Sequence, residues 1–337
     1  MANRQQDKKE DRLAYYFKPY MDLFVFDELS PAHLEREGLS CFMSGVAVPF
    51  RKENLSAFGR GDGLRITDLA ENMIYVVGAD PDFIYLPEYR KYLNHYFNEK
   101  LTEAVISKGM ECASKGDLLG GALRFRAALA LAGESRDARY GLARACRELY
   151  LKEEGSEDRD ESYVGRFKAE SMELFEELTL KYPDFAPPYY FLGYAYLNMG
   201  LYKKAELTWR EFLSLSQEEE LKEEVRERIE KLCAPVDIEA GCNLVISGKW
   251  LAGIQALEPF LETDYQLWWP LSYYLGIAYG KAGLLPQAEE RLLHALSLSP
   301  SQEDCMEELA EIYQLMGNQE MTEKYRRKLE LIRSQNE

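Results

Sequence analysis

The residues of this sequence that are best suited to chemistry are three glycines that precede a predicted helix. Gly59, Gly61 and Gly63 suggest a loop that cradles phosphate, but their spacing differs from that of such a loop. Such a loop also needs a preceding strand and a lysine followed by serine or threonine, and both are missing here. We therefore interpret the segment as a plain turn, and the Arg60-Gly61-Asp62 tripeptide within it as a chance occurrence.

Histidine and cysteine spacing is no better suited to catalysis or metal binding. His33, His95 and His294 lie in three separate regions, and no serine or cysteine stands in a nucleophile-elbow context. The six cysteines form no CxxC pair, which is typical of a reducing compartment and argues against a zinc site. The sequence therefore predicts no enzyme activity, no catalytic residue, no metal site and no cofactor.

Composition excludes further classes of function. The 337 residues include 41 Lys and Arg against 58 Asp and Glu, a net charge of -17. Such a protein repels phosphate groups, which nucleic-acid binders neutralise with a basic face. The N terminus has no apolar signal segment, and the most apolar stretch, residues 73–79, is too short to span a bilayer. We expect a cytoplasmic protein with no nucleic-acid or membrane partner.

A repeated pattern indicates which elements position the remaining residues. In its best copy, residues 186–217, the small Gly193 and Ala205 allow two helices to touch, and the bulky Trp209 and Phe212 fill the space between them. One such hairpin cannot bury its apolar face alone, so neighbouring copies are required. The small residue at the first of these positions recurs at Gly109, Ala143, Gly193, Gly241, Gly276 and Ala310.

These residues resemble the tetratricopeptide repeat (TPR), a helical hairpin of about 34 residues. The resemblance covers residues 102 to about 336 and gives six repeats. It implies an all-α fold, a TPR α-solenoid in which hairpins form a right-handed superhelix. The repeat region then spans residues 102–337.

Two of the repeats are longer than the others, and each carries an insertion of different character. The first insertion, near residues 150–165, is acidic and predicts a solvated loop between the helices of repeat two. The second, near residues 218–232, places Leu221, Val225 and Ile229 at helical spacing. It predicts an additional helix that bends the solenoid or shields part of its groove.

Residues 1–101 do not match the repeat. An aromatic helix is predicted over residues 11–26, a short strand or extended segment near residues 41–50, and a helix opened by Thr67 or Asp68. A further helix begins near Pro87 and continues directly into repeat one. We expect a small, mostly helical domain that caps the solenoid, since repeat arrays need their end faces covered.

The TPR resemblance implies where a partner binds. In that family the first helix of each hairpin lines a concave groove that receives peptides. The matching positions here hold Tyr140, Arg144, Arg147, Tyr190, Tyr194, Leu197, Tyr273 and Ile277. Tyrosine and arginine anchor many interfaces, and two arginines in so acidic a protein could bind a carboxylate.

Purely structural roles for the same residues are also possible. The arginines could pair with neighbouring glutamates such as Glu148, and the tyrosines could pack between repeats. Trp268 and Trp269 either hold neighbouring hairpins together or form an exposed contact point. The lysines and asparagines with which one TPR subclass binds chaperone C termini are absent, so chaperone binding is not implied.

We therefore expect a non-catalytic adaptor, monomeric or homodimeric, that binds a peptide or helix of an unidentified protein in the groove. In the alternative, residues 1–101 form a catalytic or small-ligand module and the repeats recruit its substrate. That alternative requires a polar pocket lined by Asp62, Asp68, Glu71 or His95. A third possibility is homodimerisation through the groove or the additional helix.

Overall fold

The computed structural model describes residues 11–54, 65–98 and 100–336, which are largely α-helical. The chain forms two compact units, Met1–Leu192 and Gly193–Glu337. The glycine-rich turn predicted at residues 59–63, with its Asp62, lies outside the described residues.

The N-terminal region begins with short elements. In chain order these are α1 (Ala14–Phe17), a 3-10 helix (Lys18–Leu23), β1 (Phe24–Glu28), α2 (Pro31–Arg36), α3 (Ser40–Met43) and β2 (Ala47–Arg51). The two strands are antiparallel, with Phe26 opposite Pro49. The aromatic helix predicted over residues 11–26 is thus confined to its first turns. Pro19 has no backbone N–H to continue the α-helix, and the alternating residues after it pair as a strand.

Two longer helices follow, α4 (Ile66–Ala79) and α5 (Leu86–Phe97). The first starts at Ile66, so the predicted caps Thr67 and Asp68 lie inside its first turn. The second was predicted to run on into repeat one, but the chain breaks at Asn98, whose φ is 55°. A positive φ is uncommon outside glycine, and asparagine adopts one more often than most other residues.

Helical hairpins make up the rest of the described chain. In chain order the helices are α6 (Lys100–Ser114), α7 (Leu118–Ala132), α8 (Arg136–Glu154), α9 (Glu161–Lys181), α10 (Pro187–Asn198), α11 (Tyr202–Leu215), α12 (Glu219–Lys231), α13 (Cys233–Ile246), α14 (Trp250–Leu257), α15 (Trp269–Lys281), α16 (Leu285–Leu298), α17 (Glu303–Leu315) and α18 (Gln319–Asn336). Over residues 100–336 they form six hairpins, starting at α6, α8, α10, α13, α15 and α17. The predicted all-α, TPR-like fold is confirmed.

Missing side chains explain why the helices of a hairpin approach so closely. A Cβ on Gly193 would lie 2.0 Å from the Nε1 of Trp209, and one on Gly276 would lie 2.6 Å from the Cγ of Leu292. The turns inside the hairpins also use glycine in the left-handed region, as at Gly283 with φ 80°. The small residues of the sequence repeat therefore lie where the two helices of a hairpin touch or where the chain turns between them.

The second hairpin differs from the sequence-based expectation. Its helices α8 and α9 have 19 and 21 residues, so most of the insertion near residues 150–165 extends them, and the loop is limited to residues 155–160. Lysine and glutamate are good helix formers, so α8 continues to Glu154. Asp160 then opens α9 by accepting hydrogen bonds from the backbone N–H groups of Ser162 and Tyr163.

The N-terminal region packs directly on the first two hairpins. Gly78 of α4 lies so close to α7 that a Cβ there would be 2.2 Å from the carbonyl oxygen of Leu123. The buried Arg126 of α7 donates to the carbonyl of Gly78 at 2.8 Å and to Asp11 at 2.6 Å. Within the compact unit Met1–Leu192, α4 and α7 therefore share one core.

Candidate protein-binding surface

A pocket of about 360 Å³ lies between α6 and α8, the first helices of hairpins one and two. We call it the α6–α8 pocket. Its volume is within the range of small-ligand and side-chain sites in proteins. Its lining is mainly apolar and consists of Met110, Ala113, Ser114, Leu118, Phe125, Tyr140, Gly141, Arg144, Ala145 and Glu148.

The pocket owes its shape to an aromatic ring held between two glycines. Phe125 of α7 is 2% exposed. A Cβ on Gly109 would lie 2.9 Å from this ring, and a Cβ on Gly141 would lie 2.6 Å from it. Because both helices present backbone to the ring, Phe125 closes the bottom of the pocket, while Met110 stays 49% exposed at its rim.

The two groove arginines have different surroundings. The Cζ atoms of Arg144 and Arg147 lie 5.4 and 5.1 Å from the centre of the Phe191 ring, within cation–π distance. Arg147 also pairs with the carboxylate of Glu148 at 2.9 Å. Arg144 is exposed and has no carboxylate within ion-pair distance among the described residues. The pairing with Glu148 that sequence analysis left open therefore applies to Arg147.

The tyrosines of hairpins two and three are largely used in packing. Tyr140 makes an edge-to-face contact with Phe185, at 5.2 Å between ring centres, and also meets Phe191 at 6.4 Å. Tyr190 meets Phe191 edge to face at 5.2 Å. Both tyrosines are half-buried, so part of each ring is already used in packing.

In the second unit, the inserted helix α12 covers Tyr194. The Tyr194 hydroxyl donates to the carboxylate of Glu224, and the Cζ of Arg228 lies 5.7 Å from the centre of the tyrosine ring. Val225, on the same helix, is fully buried. The ring of Tyr194 also packs edge to face on Trp209 at 4.9 Å. Tyr194 is therefore held inside this unit.

The remaining groove positions in this unit are half-buried. Leu197 lies on the second half of α10, and Tyr273 and Ile277 lie on α15 against the hydrophobic core. Burial raises the pKa of Tyr273, and the negative charges of nearby acidic residues add to this shift. Trp269 packs on Tyr273 at 5.9 Å between ring centres.

Trp268, the other member of the tryptophan pair, meets Tyr202 of α11 edge to face at 5.7 Å. It also contacts Tyr265 at 6.5 Å between ring centres. The side chain is half-buried. This placement fits a packing role for Trp268, which connects hairpin three with the segment before hairpin five.

Four of the groove residues predicted from the sequence cluster around Phe191, namely Tyr140, Arg144, Arg147 and Tyr190. Met110 and Phe125 were not predicted as pocket residues. The available signal was the glycine pair at 109 and 141, which leaves room for a ring between two first helices.

The polar pocket required by the alternative function is not assembled from the described N-terminal residues. Glu71 lines a pocket of about 170 Å³ that is mainly apolar, and its carboxylate pairs with Arg124. Asp68 pairs with Arg65 at 2.8 Å, and His95 packs on Phe42 at 6.2 Å. This volume is smaller than that of typical ligand sites.

The described part of the chain holds neither a metal-binding cluster nor a membrane-spanning helix. No group of three or more His, Cys, Asp and Glu side chains there is arranged to hold a metal ion. No helix over the same residues is long and apolar enough to cross a membrane.

No protein-family model matches this sequence, and no protein of curated function matches it. Among solved structures, the chain is similar to a MamA RS-1 double mutant, with 15% identity over 58% of this chain and 96% of that one and a TM-score of 0.32. It is similar to PilW, a widely conserved type IV pilus biogenesis factor, with 14% identity over 69% of this chain and 94% of that one and a TM-score of 0.33. It is similar to MamA of Desulfovibrio magneticus RS-1, with 14% identity over 70% of this chain and 97% of that one and a TM-score of 0.26. Because these scores are low, the assignment of a TPR-like fold rests on the hairpins described above.

Proposed function

We propose that this protein is a non-catalytic scaffold that binds a peptide or helix of a partner protein on the first helices of its repeats. The observation that supports this most directly is the α6–α8 pocket, an apolar cavity of about 360 Å³ that opens beside the exposed Arg144. An apolar cavity beside a charge is the usual composition of an interface anchor.

The binding mechanism follows from the packing around the pocket. Phe125 is fixed between Gly109 and Gly141, so the surface is formed before a partner arrives. A preformed surface loses little conformational entropy on binding, and this favours affinity. Arg144 then adds a charge-assisted hydrogen bond that fixes the direction of the bound segment.

The test is affinity capture with the full-length chain, followed by binding measurements on the purified partner. Arg144→Glu should raise the dissociation constant at least about tenfold, because it replaces an attractive charge with a repulsive one at the contact. Arg159→Glu is the matched control, since Arg159 is exposed in the loop of the same hairpin and pairs only with Glu161 there.

Circular dichroism must show equal helicity for both variants. Unchanged affinity of Arg144→Glu for the partner would refute the proposal for this surface. Light scattering on the same samples would reveal a homodimer, and a dimer dispersed by Arg144→Glu would assign the surface to self-association instead.

A further inference from the structure

The charges around the α6–α8 pocket indicate which kind of peptide it binds, and this inference rests on the proposed function. The buried and half-buried arginines of hairpins one and two pair with carboxylates of the described chain. These pairs are Arg124 with Glu71, Arg126 with Asp11, Arg139 with Glu134 and Glu177, and Arg147 with Glu148. Arg144 is exposed, and Glu148, one helical turn away in the same pocket lining, pairs with Arg147 instead.

Two acidic residues at the pocket are paired with cations other than Arg144. Glu148, in its lining, is held by Arg147. Glu111, which follows Met110 on α6, is bridged by Lys108 at 2.8 Å and Lys115 at 2.6 Å. The positive charge of Arg144 is thus used by neither of these carboxylates, and it favours a negatively charged segment within the Debye length of about 8 Å.

The interior of the pocket requires an apolar group. Met110, Leu118 and Phe125 supply most of its wall, and an aliphatic or aromatic side chain that covers them gains about 1.5–3 kcal/mol from burial. A charged or small side chain would leave this wall in contact with water or with an unpaired polar group. The pocket thus selects a large apolar side chain, and Arg144 selects a negatively charged peptide segment.

We propose that the α6–α8 pocket takes a phenylalanine-sized side chain from an acidic peptide segment of the partner, with a neighbouring carboxylate of that segment paired to Arg144. The partner is thereby defined by chemistry as a protein with an acidic stretch that contains a single large apolar anchor.

The probe is the peptide acetyl-Asp-Asp-Phe-Asp-Asp-amide, titrated into the full-length chain labelled with carbon-13 in the methionine methyl groups. The signal of Met110 is identified by its loss in Met110→Leu. We expect this signal to shift saturably. Versions with alanine at the centre, or with lysine in place of every aspartate, should bind at least about tenfold more weakly.

Two variants separate the contributions of charge and cavity. Arg144→Gln should weaken the acidic peptide about tenfold and leave acetyl-Gly-Gly-Phe-Gly-Gly-amide unchanged, while Arg159→Gln should change neither. Ser114→Trp places a large side chain at the exposed rim of the pocket and should abolish the shift with either peptide.

Contrary results are distinct from failure of the proposed function. If the Met110 signal does not move, or moves equally with the lysine peptide, the inference is wrong. The scaffold function nevertheless stands if a captured partner still depends on Arg144. If neither peptide nor partner depends on Arg144, both proposals fail.

Discussion

The packing of the N-terminal region on the first repeat depends strongly on one buried arginine. Arg126 is 6% exposed and lies on α7. Its Nε donates to the carbonyl of Gly78, its terminal nitrogens donate to Asp11 at 3.1 and 2.6 Å, and its Cζ lies 4.6 Å from the centre of the Phe17 ring. Replacing Arg126 by alanine removes all of these contacts at once.

The expected loss of stability can be bounded from those contacts. Breaking a buried ion pair by removing one partner costs about 3–5 kcal/mol, because it leaves the other charge uncompensated. The side chain of Asp11 is 29% exposed, so water relieves part of that penalty and the lower end of the range applies. We therefore expect Arg126→Ala to lower the free energy of unfolding by about 3 kcal/mol.

Urea unfolding followed by far-UV circular dichroism measures this loss, and hydrogen exchange with mass spectrometry locates it in α4 and α7. The control is Arg159→Ala, an exposed residue whose replacement should cost under about 0.5 kcal/mol. A loss below about 1 kcal/mol for Arg126→Ala, or faster exchange outside these helices only, would refute the assignment of the N-terminal region as a cap.

The same contact makes part of the stability depend on pH. Burial by itself raises the pKa of Asp11, but the hydrogen bond and positive charge of Arg126 outweigh it and hold the pKa below the usual 3.8. A lowered carboxyl pKa stabilises the fold above pH 3.8, and this contribution is lost as the pH falls through the folded-state pKa. The stability gap between the wild type and Asp11→Asn should therefore be full at about pH 7 and shrink at about pH 3.

Two other predictions test packing and exposure. In Gly193→Ala the new Cβ would lie 2.0 Å from a buried indole nitrogen, so unfolding should become easier by about 1–3 kcal/mol in urea melts. Gly165→Ala, in α9 with nothing within 4 Å of the added Cβ, should stabilise by about 0.5–1 kcal/mol and is the control. Ellman's reagent should modify the exposed Cys41 and Cys233 in the native chain but not Cys305, because burial raises the pKa of that thiol to about 12. Rapid reaction of Cys305 would contradict its burial.

The repeat was predictable because its signals are local. Gly276 and Leu292 touch within one hairpin, and the turn glycine Gly283 lies between them, so all three follow from one stretch of sequence. The N-terminal region was not predictable to the same degree. The pairing of β1 with β2 depends on contacts that are distant in sequence, and the break at Asn98 depends on a positive φ that the helical pattern around it does not signal. The acidic composition near residues 150–165 suits an exposed helix as well as a loop.

For the candidate surface, sequence identified the residue types but not their contacts. Arg144 and Arg147 look equivalent in the sequence, and only the structure shows that Glu148 pairs with Arg147. The fate of Tyr194 depends on how α12 docks, which the spacing of Leu221, Val225 and Ile229 predicts as a helix but not as a cover.

The tyrosines of the first helices, which are the most frequent of the predicted groove residues, therefore have mainly a structural role. Tyr140 packs on Phe185, Tyr194 lies under α12, and Tyr273 contacts Trp269, so each ring already contributes to the stability of its own unit. Among the residues that line the α6–α8 pocket, Met110, Ser114 and Arg144 are exposed. A partner that contacts them gains apolar burial and a charge pair without breaking existing packing, and this is why we place recognition at the α6–α8 pocket.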